Sequence, residues 1–496
     1  MKRMLVLALL AMACSLQAQT VYKADWESLD KRPTPPWWQE AKFGIFIHWG
    51  VYAVPAYAPT DAANVYAKYS EHYDNRLRTK TPAFTNYHAR VYGDRVSYAD
   101  FASQFRAEHF NPDQWADLFK KSGAKYIVLT SKHHDGYALW PSAFSPRWNS
   151  QFLGSHRDLA GDLIEAVRKQ GLHMGYYYSL LEWANPLYSK ETIGRWFTEM
   201  NFPQMKELVT RYKPDIVWTD GEWDYSDEEL RSVDFLAWLY NESPVKDTVV
   251  VNDRWGKKTR GLHGGHYTTE YDLIHTGSAL DTQFVHPWEE CRGIGGSFGF
   301  NRFETTADYM TSAQCVETLV EKVSRGGNLL LNIGPQADGL IPVIMQERLL
   351  DMGKWLAVNG EAIYATTAWQ HRPKNMRETK VYFSKKPDAL YALCARWPQA
   401  PLVIDHVAKA EPSRCSAARC PWPSPAPTAS SQSSRPRSTP ATCPVTLPGS
   451  SRSPTLTSDP YGTSPKPAAH RRCAPHRRAG LRGKRRTGRP PASMTR

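Results

Sequence analysis

The sequence of 496 residues predicts an α/β fold, in which a (β/α)8-like barrel precedes an incomplete antiparallel β domain and a disordered basic tail. Short apolar runs alternate with helical patterns after the first 40 or so residues, which favours a parallel sheet with helical crossovers. About eight such runs occur over roughly 300 residues, the size of a single (β/α)8 barrel. The composition then changes abruptly near Lys409, where we expect the folded part to end.

The first 19 residues have the pattern of a signal peptide. Lys2 and Arg3 precede the apolar segment Met4–Cys14, and Leu16-Gln17-Ala18 is a suitable cleavage site. The apolar segment is too short to span a bilayer, and no later run is long enough. We therefore expect residues 1–19 to be removed and the protein to be exported, either to a periplasm or to the medium. Lipidation of Cys14 is the alternative, although the residues before it form a poor lipobox.

Residues 20–365 form the predicted barrel domain. Apolar, β-branched and aromatic runs mark its strands and alternate with helical patterns. The predicted strands are Phe43–Trp49, Tyr126–Thr130, His173–Tyr178, Ile216–Thr219, Val249–Asn252, His266–Glu270, Gly293–Asn301 and Leu329–Ile333. The predicted helices are Pro112–Ser122, Asp158–Gln170, Trp196–Tyr212, Ser312–Ser324 and Pro342–Asn359. An open doubly wound sheet is the alternative, but no glycine-rich nucleotide fingerprint follows the first strand.

Residues 366–408 have the pattern of the start of an antiparallel β domain that stops after two or three strands. The strand patterns are Lys380–Ser384 and a run beginning at Ala389. Residues 409–496 are rich in Pro, Ser and Arg and contain too few large apolar side chains to fold. This tail could be a linker or a basic extension. We favour an out-of-frame reading of the gene, because the strand pattern of the β domain stops before a complete domain is formed.

The net charge of +13 comes from the tail, because residues 409–496 contain 17 basic and two acidic residues. The rest of the chain therefore has a net charge of −2, and nothing in it indicates a nucleic-acid or membrane-surface partner. Outside the leader and the tail, the cysteines are Cys291, Cys315 and Cys394. These scattered positions form neither a disulfide framework nor a paired metal motif.

The segment Tyr212–Trp223 carries the most informative carboxylate of the chain. Its apolar run Ile216–Thr219 predicts a buried strand that opens into a loop at Asp220. Side chains alternate across a strand, so Trp218 and Asp220 should point to the same side. A carboxylate beside an aromatic wall suits a sugar-cleaving enzyme, although Asp-Gly is also ordinary turn chemistry.

Polar residues follow most of the other predicted strands as well. They are His48, His133, His134, Tyr178, Arg254 and Glu270. The carboxyl ends of parallel strands meet at one end of a barrel, which is where barrel enzymes carry their active sites. One such residue alone would more often be structural, but several at the same end indicate a functional site.

Two chemistries fit these residues. His48, His133 and His134 could bind a metal ion in a hydrolytic barrel, although adjacent histidines differ from the usual His-x-His spacing. The histidines could instead bind sugar hydroxyls while two carboxylates perform retaining glycoside hydrolysis, for which the carboxyl groups lie about 5–5.5 Å apart.

The sequence resembles the α-L-fucosidases of glycoside hydrolase family 29. Six motifs carry the resemblance in order: WWQEAKFGIFIHWGVYAVPAYAP, KYIVLTSKHHDGYALWPS, KPDIVWTDGEW, WEECRGIGGSFGFNR, LLLNIGPQADGLIP and NGEAIYATTAW. The resemblance implies a catalytic barrel followed by a β-sandwich, a retaining exo-α-L-fucosidase, fucosylated glycans as substrates, and no metal or other cofactor. An inactive sugar-binding relative is a further hypothesis, since the β domain is incomplete.

The resemblance also implies roles for single residues. Asp220 would be the nucleophile, and Arg254 would hold its surroundings. The fucose pocket would be lined by His48, His133, His134, Tyr178, Trp218 and Glu71, the last within Glu71-His72-Tyr73 where the family has Glu-Trp-Tyr.

The acid/base residue varies in position across this family. Glu270, at the end of the sixth predicted strand, is the first candidate. Glu289 is the second, because it lies in a Trp-Glu-x-Cys signature that also contains Cys291, a position with no expected chemical role.

Overall fold

A computed structural model of the protein describes residues 20–272, 286–370, 380–395 and 441–446. The expected signal peptide, including Cys14, lies outside the described residues, as does most of the expected tail. The first eight strands are β1 Phe43–Ile47, β2 Tyr126–Lys132, β3 His173–Ser179, β4 Ile216–Asp220, β5 Val250–Val251, β6 Tyr267–Glu270, β7 Trp288–Gly293 and β8 Asn328–Ile333. All ladders between them are parallel, and the strand order is β5-β4-β3-β2-β1-β8-β7-β6.

The two outer strands of this sheet, β5 and β6, meet through a parallel bridge between Asn252 and His266. The backbone N–H of His266 donates to the carbonyl oxygen of Val251 at 3.0 Å, and that of Gly265 donates to Asn252 at 3.0 Å. A Cβ atom at Gly265 would lie 1.9 Å from the Val251 oxygen, so this close approach requires glycine. The bridge joins the sheet into the predicted barrel.

Helices precede most of the strands and cover the outside of the sheet. The helices are α1 Trp26–Leu29, α2 Pro36–Ala41, α3 Tyr73–Arg78, α4 Pro82–Val91, α5 Pro112–Ser122, α6 Leu159–Lys169, α7 Ile193–Arg195, α8 Phe202–Tyr212, α9 Ser232–Asn241, α10 Ser312–Ser324 and α11 Val343–Asn359. Local signals fix their ends. Asn111 caps α5, which ends at Gly123 with φ +87°, and Asp158 caps α6. No helix of the described chain is long and apolar enough to cross a membrane.

Side-chain alternation divides the strand residues between two buried layers. Ile45, Ile47 and Met174 face outward and pack in the layer that contains the helices. Phe46 and Trp218 face the barrel interior. The amino-terminal end of that interior contains Trp38 from α2, whose ring stacks on His266 at 4.2 Å. The other end is left for the functional side chains.

The predicted seventh strand, Gly293–Asn301, is wrong: β7 is Trp288–Gly293, and the glycine-rich run follows it as a loop. Charged residues are unusual inside a sheet, so an apolar-run pattern does not mark Glu289 and Glu290 as strand residues. Both glutamates are buried in β7, where hydrogen bonds from neighbouring side chains satisfy them.

Two other predicted elements are shorter than expected. The α-helix predicted from Trp196 to Tyr212 is α8, Phe202–Tyr212, preceded by the π-helical turn Trp196–Asn201. Pro203 lies just after the junction of the two segments, where it has no N–H to donate to the preceding helical turn. The strand predicted for Val249–Asn252 forms a ladder only at Val250–Val251.

A second sheet follows the barrel and has the strand order β12-β11-β10-β9. Its strands are β9 Thr367–Ala368, β10 Val381–Lys386, β11 Ala389–Cys394 and β12 Ala441–Thr446. All of its ladders are antiparallel. β12 lies within the segment for which the sequence predicts disorder. The out-of-frame origin of the tail remains a prediction.

Buried charges fix the loop after β2, which carries His133 and His134. Nζ of Lys132 lies 2.5 Å from Oε1 of Glu182, which joins this loop to the one after β3. The next carboxylate, Asp135, accepts a hydrogen bond from the Tyr98 hydroxyl at 2.6 Å. Burial raises the pKa of Asp135 to about 7. This side chain therefore takes up a proton near neutral pH in the folded state, whereas in the unfolded chain it is ionised.

We predict that Asp135→Asn reduces the loss of stability between pH 5 and pH 8. A raised folded-state pKa means that the folded protein binds more protons than the unfolded chain, so the free energy of unfolding falls as pH rises toward 7. Between pH 5 and pH 8, the free energy of unfolding should fall by about 2–3 kcal/mol more in the parent than in Asp135→Asn. Urea denaturation at both pH values measures this difference. The exposed Asp94→Asn is the control. Parallel pH curves for Asp135→Asn and the parent protein would contradict the assignment.

Candidate active site

A cavity of about 850 Å³ opens at the carboxyl-terminal end of the barrel strands. It contains most of the residues that the sequence singled out, together with several that it did not. The predicted residues on its wall are His48, Glu71, His133, His134, Trp218, Asp220, Arg254, Glu270 and Cys291. The unpredicted ones include Tyr69, His72, Tyr177, Trp183, Glu222, Trp223 and Arg260.

Asp220 ends β4 and points with Trp218 into the cavity, as strand alternation predicts. Its Oδ1 lies 2.7 Å from Nη1 of Arg254, and its Oδ2 accepts a hydrogen bond from the Tyr177 hydroxyl at 3.0 Å. Burial raises the pKa of Asp220, but the charges of Arg254 and Arg260 and the hydrogen bond from Arg254 act together against it, and the pKa lies below its usual value. Asp220 is therefore ionised at neutral pH.

Arg254 links the two candidate catalytic carboxylates. While Nη1 contacts Asp220, Nη2 lies 3.4 Å from Oε2 of Glu270. The guanidinium carbon lies 4.5 Å from the centre of the Trp218 ring, and Nε donates to Thr268 at 3.0 Å. Arg254 therefore brings the ends of β4 and β6 together around one buried positive charge.

Glu270 ends β6 and lies on the cavity wall, where the sequence places the first acid/base candidate. Its Oε1 accepts a hydrogen bond from the Tyr69 hydroxyl at 2.7 Å. Tyr69 comes from the loop after β1, and no strand pattern in the sequence marked it. Glu270 is thus held from two sides, by a phenol and by a guanidinium.

Glu289, the second acid/base candidate, lies deeper in the barrel and is not on the cavity wall. Its Oε1 accepts a hydrogen bond from the Trp218 indole N–H at 3.0 Å, and its Oε2 accepts one from the Tyr126 hydroxyl. Cys291, two residues later on β7, does reach the cavity wall. Glu289 therefore belongs to the layer beneath the cavity, where it supports Trp218.

Tyr178 does not line the cavity, contrary to the expectation from the resemblance. It faces outward from β3 and donates a hydrogen bond to Gln204 of α8 at 2.8 Å. Its neighbour Tyr177 takes the inward position. In the run Tyr176-Tyr177-Tyr178 a shift of one residue exchanges the two faces of the strand, and composition alone does not choose between them.

The three predicted histidines lie together on the cavity wall, and Nε2 of His134 is 3.7 Å from Oδ2 of Asp220. Nδ1 of His48 is 2.7 Å from Oδ1 of Asn332, and Nδ1 of His134 is 2.6 Å from the Ser179 hydroxyl. Burial lowers the pKa of His48 to about 3 and that of His134 to about 4, and it lowers the pKa of His133 well below the usual value. All three are neutral at pH 7, so they offer hydrogen bonds to hydroxyl groups rather than positive charge.

Glu71 is buried on the wall of the same cavity. Its Oε2 accepts hydrogen bonds from the Gly299 backbone at 2.8 Å and the Ser297 hydroxyl at 3.1 Å. Burial raises its pKa to about 7. Beside it, His72 occupies the position of the family's tryptophan, and its ring lies 5.3 Å from that of Trp183. Trp183 comes from the loop after β3, so a tryptophan is present at this wall despite the altered motif.

The interior wall is aromatic. Trp218 stacks with Tyr177 at a centroid distance of 5.6 Å and meets Phe46 edge-on at 4.9 Å. Such rings offer apolar faces to the C–H groups of a sugar. Among the described residues, no three His, Cys, Asp or Glu side chains converge in a geometry suited to a metal ion.

Comparison with known proteins gives a consistent result. A profile of the Alpha-L-fucosidase family matches residues 9–361. The tissue α-L-fucosidase of Bos taurus is 46% identical over 384 residues, which cover 76% of this chain and 78% of the relative.

Two solved structures extend the likeness to the fold. The Thermotoga maritima α-fucosidase in complex with fucose has a TM-score of 0.65 and 40% identity, covering 76% of this chain and 87% of its own. A Bacteroides thetaiotaomicron α-L-fucosidase, a trapped covalent intermediate, has a TM-score of 0.62 and 26% identity, covering 73% and 83%. The family expected from the motifs is confirmed, and the chain belongs to the α-L-fucosidase family.

Proposed function

We propose that the protein is a retaining exo-α-L-fucosidase that releases terminal α-L-fucose from fucosylated oligosaccharides or glycoconjugates. The observation that carries this proposal is the pair of carboxylates, Asp220 and Glu270, on two terminal nitrogens of Arg254. The family membership supports the substrate. The relative trapped as a covalent intermediate supports the retaining mechanism.

In the first step Asp220 is the nucleophile, and one of its carboxylate oxygens forms a bond to the anomeric carbon of fucose. The bond between that carbon and the glycosidic oxygen breaks, and Glu270 gives its proton to the departing oxygen. Asp220 suits this role because it is ionised at neutral pH. The positive charges of Arg254 and Arg260 support this ionised state.

In the second step water attacks the same carbon from the face that the leaving group vacated. Glu270, now a carboxylate, takes a proton from this water, and the bond to Asp220 breaks. Two inversions give net retention of configuration. Tyr69 and Arg254 hold the Glu270 side chain in place for both transfers.

The remaining cavity residues bind the fucose ring. His48, His133, His134 and Glu71 provide hydrogen bonds for its hydroxyls, while Trp218 presents an aromatic wall to its apolar methyl group. One apolar group of this size contributes only about 1–3 kcal/mol to discrimination, so the hydroxyl contacts must fix the orientation of the ring.

We also propose that the protein acts outside the cytoplasm. The pattern of residues 1–19 supports export to a periplasm or to the medium. The relatives include plasma as well as tissue α-L-fucosidases. Comparing the amino terminus of protein from a cell extract with that of exported protein would test the cleavage.

The function itself is tested with an aryl α-L-fucoside. We expect the purified protein to release the phenol and Asp220→Gly to lose at least a thousandfold in kcat, since the glycosyl acceptor is gone. Added azide should fill the space of the missing carboxylate and give fucosyl azide of inverted configuration. An Asp220→Gly variant with near-parental activity would contradict the assignment of the nucleophile.

The acid/base assignment is tested by a matched pair, Glu270→Ala and Glu289→Ala. With Glu270→Ala, azide should attack the intermediate without needing a general base, restore turnover of the aryl fucoside and yield fucosyl azide of retained configuration. Glu289→Ala leaves the Trp218 and Tyr126 donors unpaired, so we expect lower stability and no rescue. Rescue of Glu289→Ala but not of Glu270→Ala would reverse the assignment.

A further inference from the structure

The cavity has a buried end and an exposed end. At the buried end, Phe46, His48 and Phe298 are each at most 5% exposed. At the other end, Trp223 is 41% and Leu262 is 59% exposed. An exo-acting enzyme holds the terminal sugar at the closed end, so the leaving sugar must lie toward Trp223 and Leu262.

Glu222 and Arg260 lie between Asp220 and this opening. Glu222 immediately precedes Trp223, and Arg260 is two residues before Leu262. Nη2 of Arg260 is 3.6 Å from Oδ1 of Asp220, and Nε is 2.6 Å from Oε1 of Glu222. The pair thus extends from the nucleophile along the wall toward the rim.

Each member of this pair has a buried polar atom without a hydrogen-bond partner. Glu222 is 4% and Arg260 is 7% exposed, yet Oε2 of Glu222 and Nη1 of Arg260 make no hydrogen bond to any described residue. The Nε–H of Arg260 is close to Glu222 but does not point along the contact, so the pair is an ion pair without an aligned hydrogen bond. Buried polar atoms are nearly always satisfied, so a ligand is the natural partner for these atoms.

Trp223 adds the apolar part of the surface. Its ring meets that of His134 edge-on at 5.2 Å, which places it above the fucose-binding histidines. An exposed indole next to unpaired polar atoms suits a pyranose ring, which has apolar C–H faces and hydroxyls at its edge.

We propose that Glu222, Arg260 and Trp223 form the subsite for the leaving sugar. Oε2 of Glu222 accepts a hydrogen bond from one of its hydroxyls, Nη1 of Arg260 donates to another oxygen, and the ring lies on Trp223. The subsite selects substrates in which fucose is attached to a hydroxyl-rich neutral sugar. This inference rests on the proposed fucosidase function and adds the recognition of the second sugar unit.

The subsite is tested by comparing two substrates of the same enzyme. In α-L-fucosyl fluoride the leaving group is fluoride, which reaches none of these residues, whereas in a fucosylated lactose it is a sugar. For Glu222→Ala and for Trp223→Ala, we expect kcat/KM to fall roughly tenfold to a hundredfold more on the fucosyllactose than on the fluoride. Glu228→Gln, an exposed acid in the same loop, is the control and should leave the ratio unchanged.

A second readout measures transfer of fucose to a sugar acceptor that binds in the subsite. With fucosyl fluoride as donor and lactose as acceptor, the ratio of transfer to hydrolysis should fall in both variants, because lactose binds less well to the fucosyl-enzyme. This ratio does not depend on how fast the intermediate forms. The exposed position of Trp223 makes its variant a safe choice if Glu222→Ala fails to fold.

Equal losses on both substrates, with an unchanged transfer ratio, would overturn the subsite and show that Glu222 acts only through Asp220. If the parent protein cleaves neither the fluoride nor the fucosyllactose, the proposed function itself fails. The two failures are therefore distinguishable.

Discussion

The contact of Arg254 with two carboxylates is the interaction on which the rest of the site depends. Asp220 must be ionised in a largely buried cavity, where burial alone raises its pKa. The planar guanidinium offers a separate nitrogen to each carboxylate. Together with Arg260, whose Nη2 lies 3.6 Å from Oδ1 of Asp220, it keeps the nucleophile ionised.

The contacts of Arg254 with both carboxylates depend on how the barrel strands are arranged. Asp220 ends β4, Arg254 follows β5 and Glu270 ends β6, so the three strands must keep their register. The backbones of β5 and β6 meet at the short bridge near Gly265, which makes that close contact a condition for the site. Beneath the cavity, Glu289 holds the indole of Trp218, and the ring of Trp218 lies against Arg254. Glu289 and Trp218 thus help to position Arg254, which contacts the catalytic carboxylates.

Much of this arrangement could be predicted from the sequence, because strand alternation and the common end of parallel strands follow from backbone geometry alone. That reasoning placed Asp220, Trp218, His48 and Glu270 on one cavity wall. The same reasoning failed where hydrogen-bond partners from elsewhere in the chain allow a charged side chain to be buried. The buried glutamates of β7 contradict composition, because hydrogen bonds from distant residues satisfy them.

Other features lay beyond any local pattern. The three successive tyrosines of β3 left the choice of inward residue open, and Tyr177 rather than Tyr178 contacts Asp220. The sequence also leaves the charge state of the histidines open, whereas in the fold burial keeps them neutral and the positive charge near Asp220 comes from arginines. Glu222 lies in the same motif as the nucleophile. Arg260 lies in a later loop, and only folding brings it next to Glu222.

The central claim is that Asp220 forms the covalent bond to fucose, and trapping that bond tests it most directly. The protein would be incubated with 2-deoxy-2-fluoro-fucosyl fluoride, digested, and its peptides analysed by mass spectrometry. We predict a single fluorofucosyl group on the side chain of Asp220. A label on Glu270 or Glu222, or an active enzyme that never acquires a label, would contradict the account.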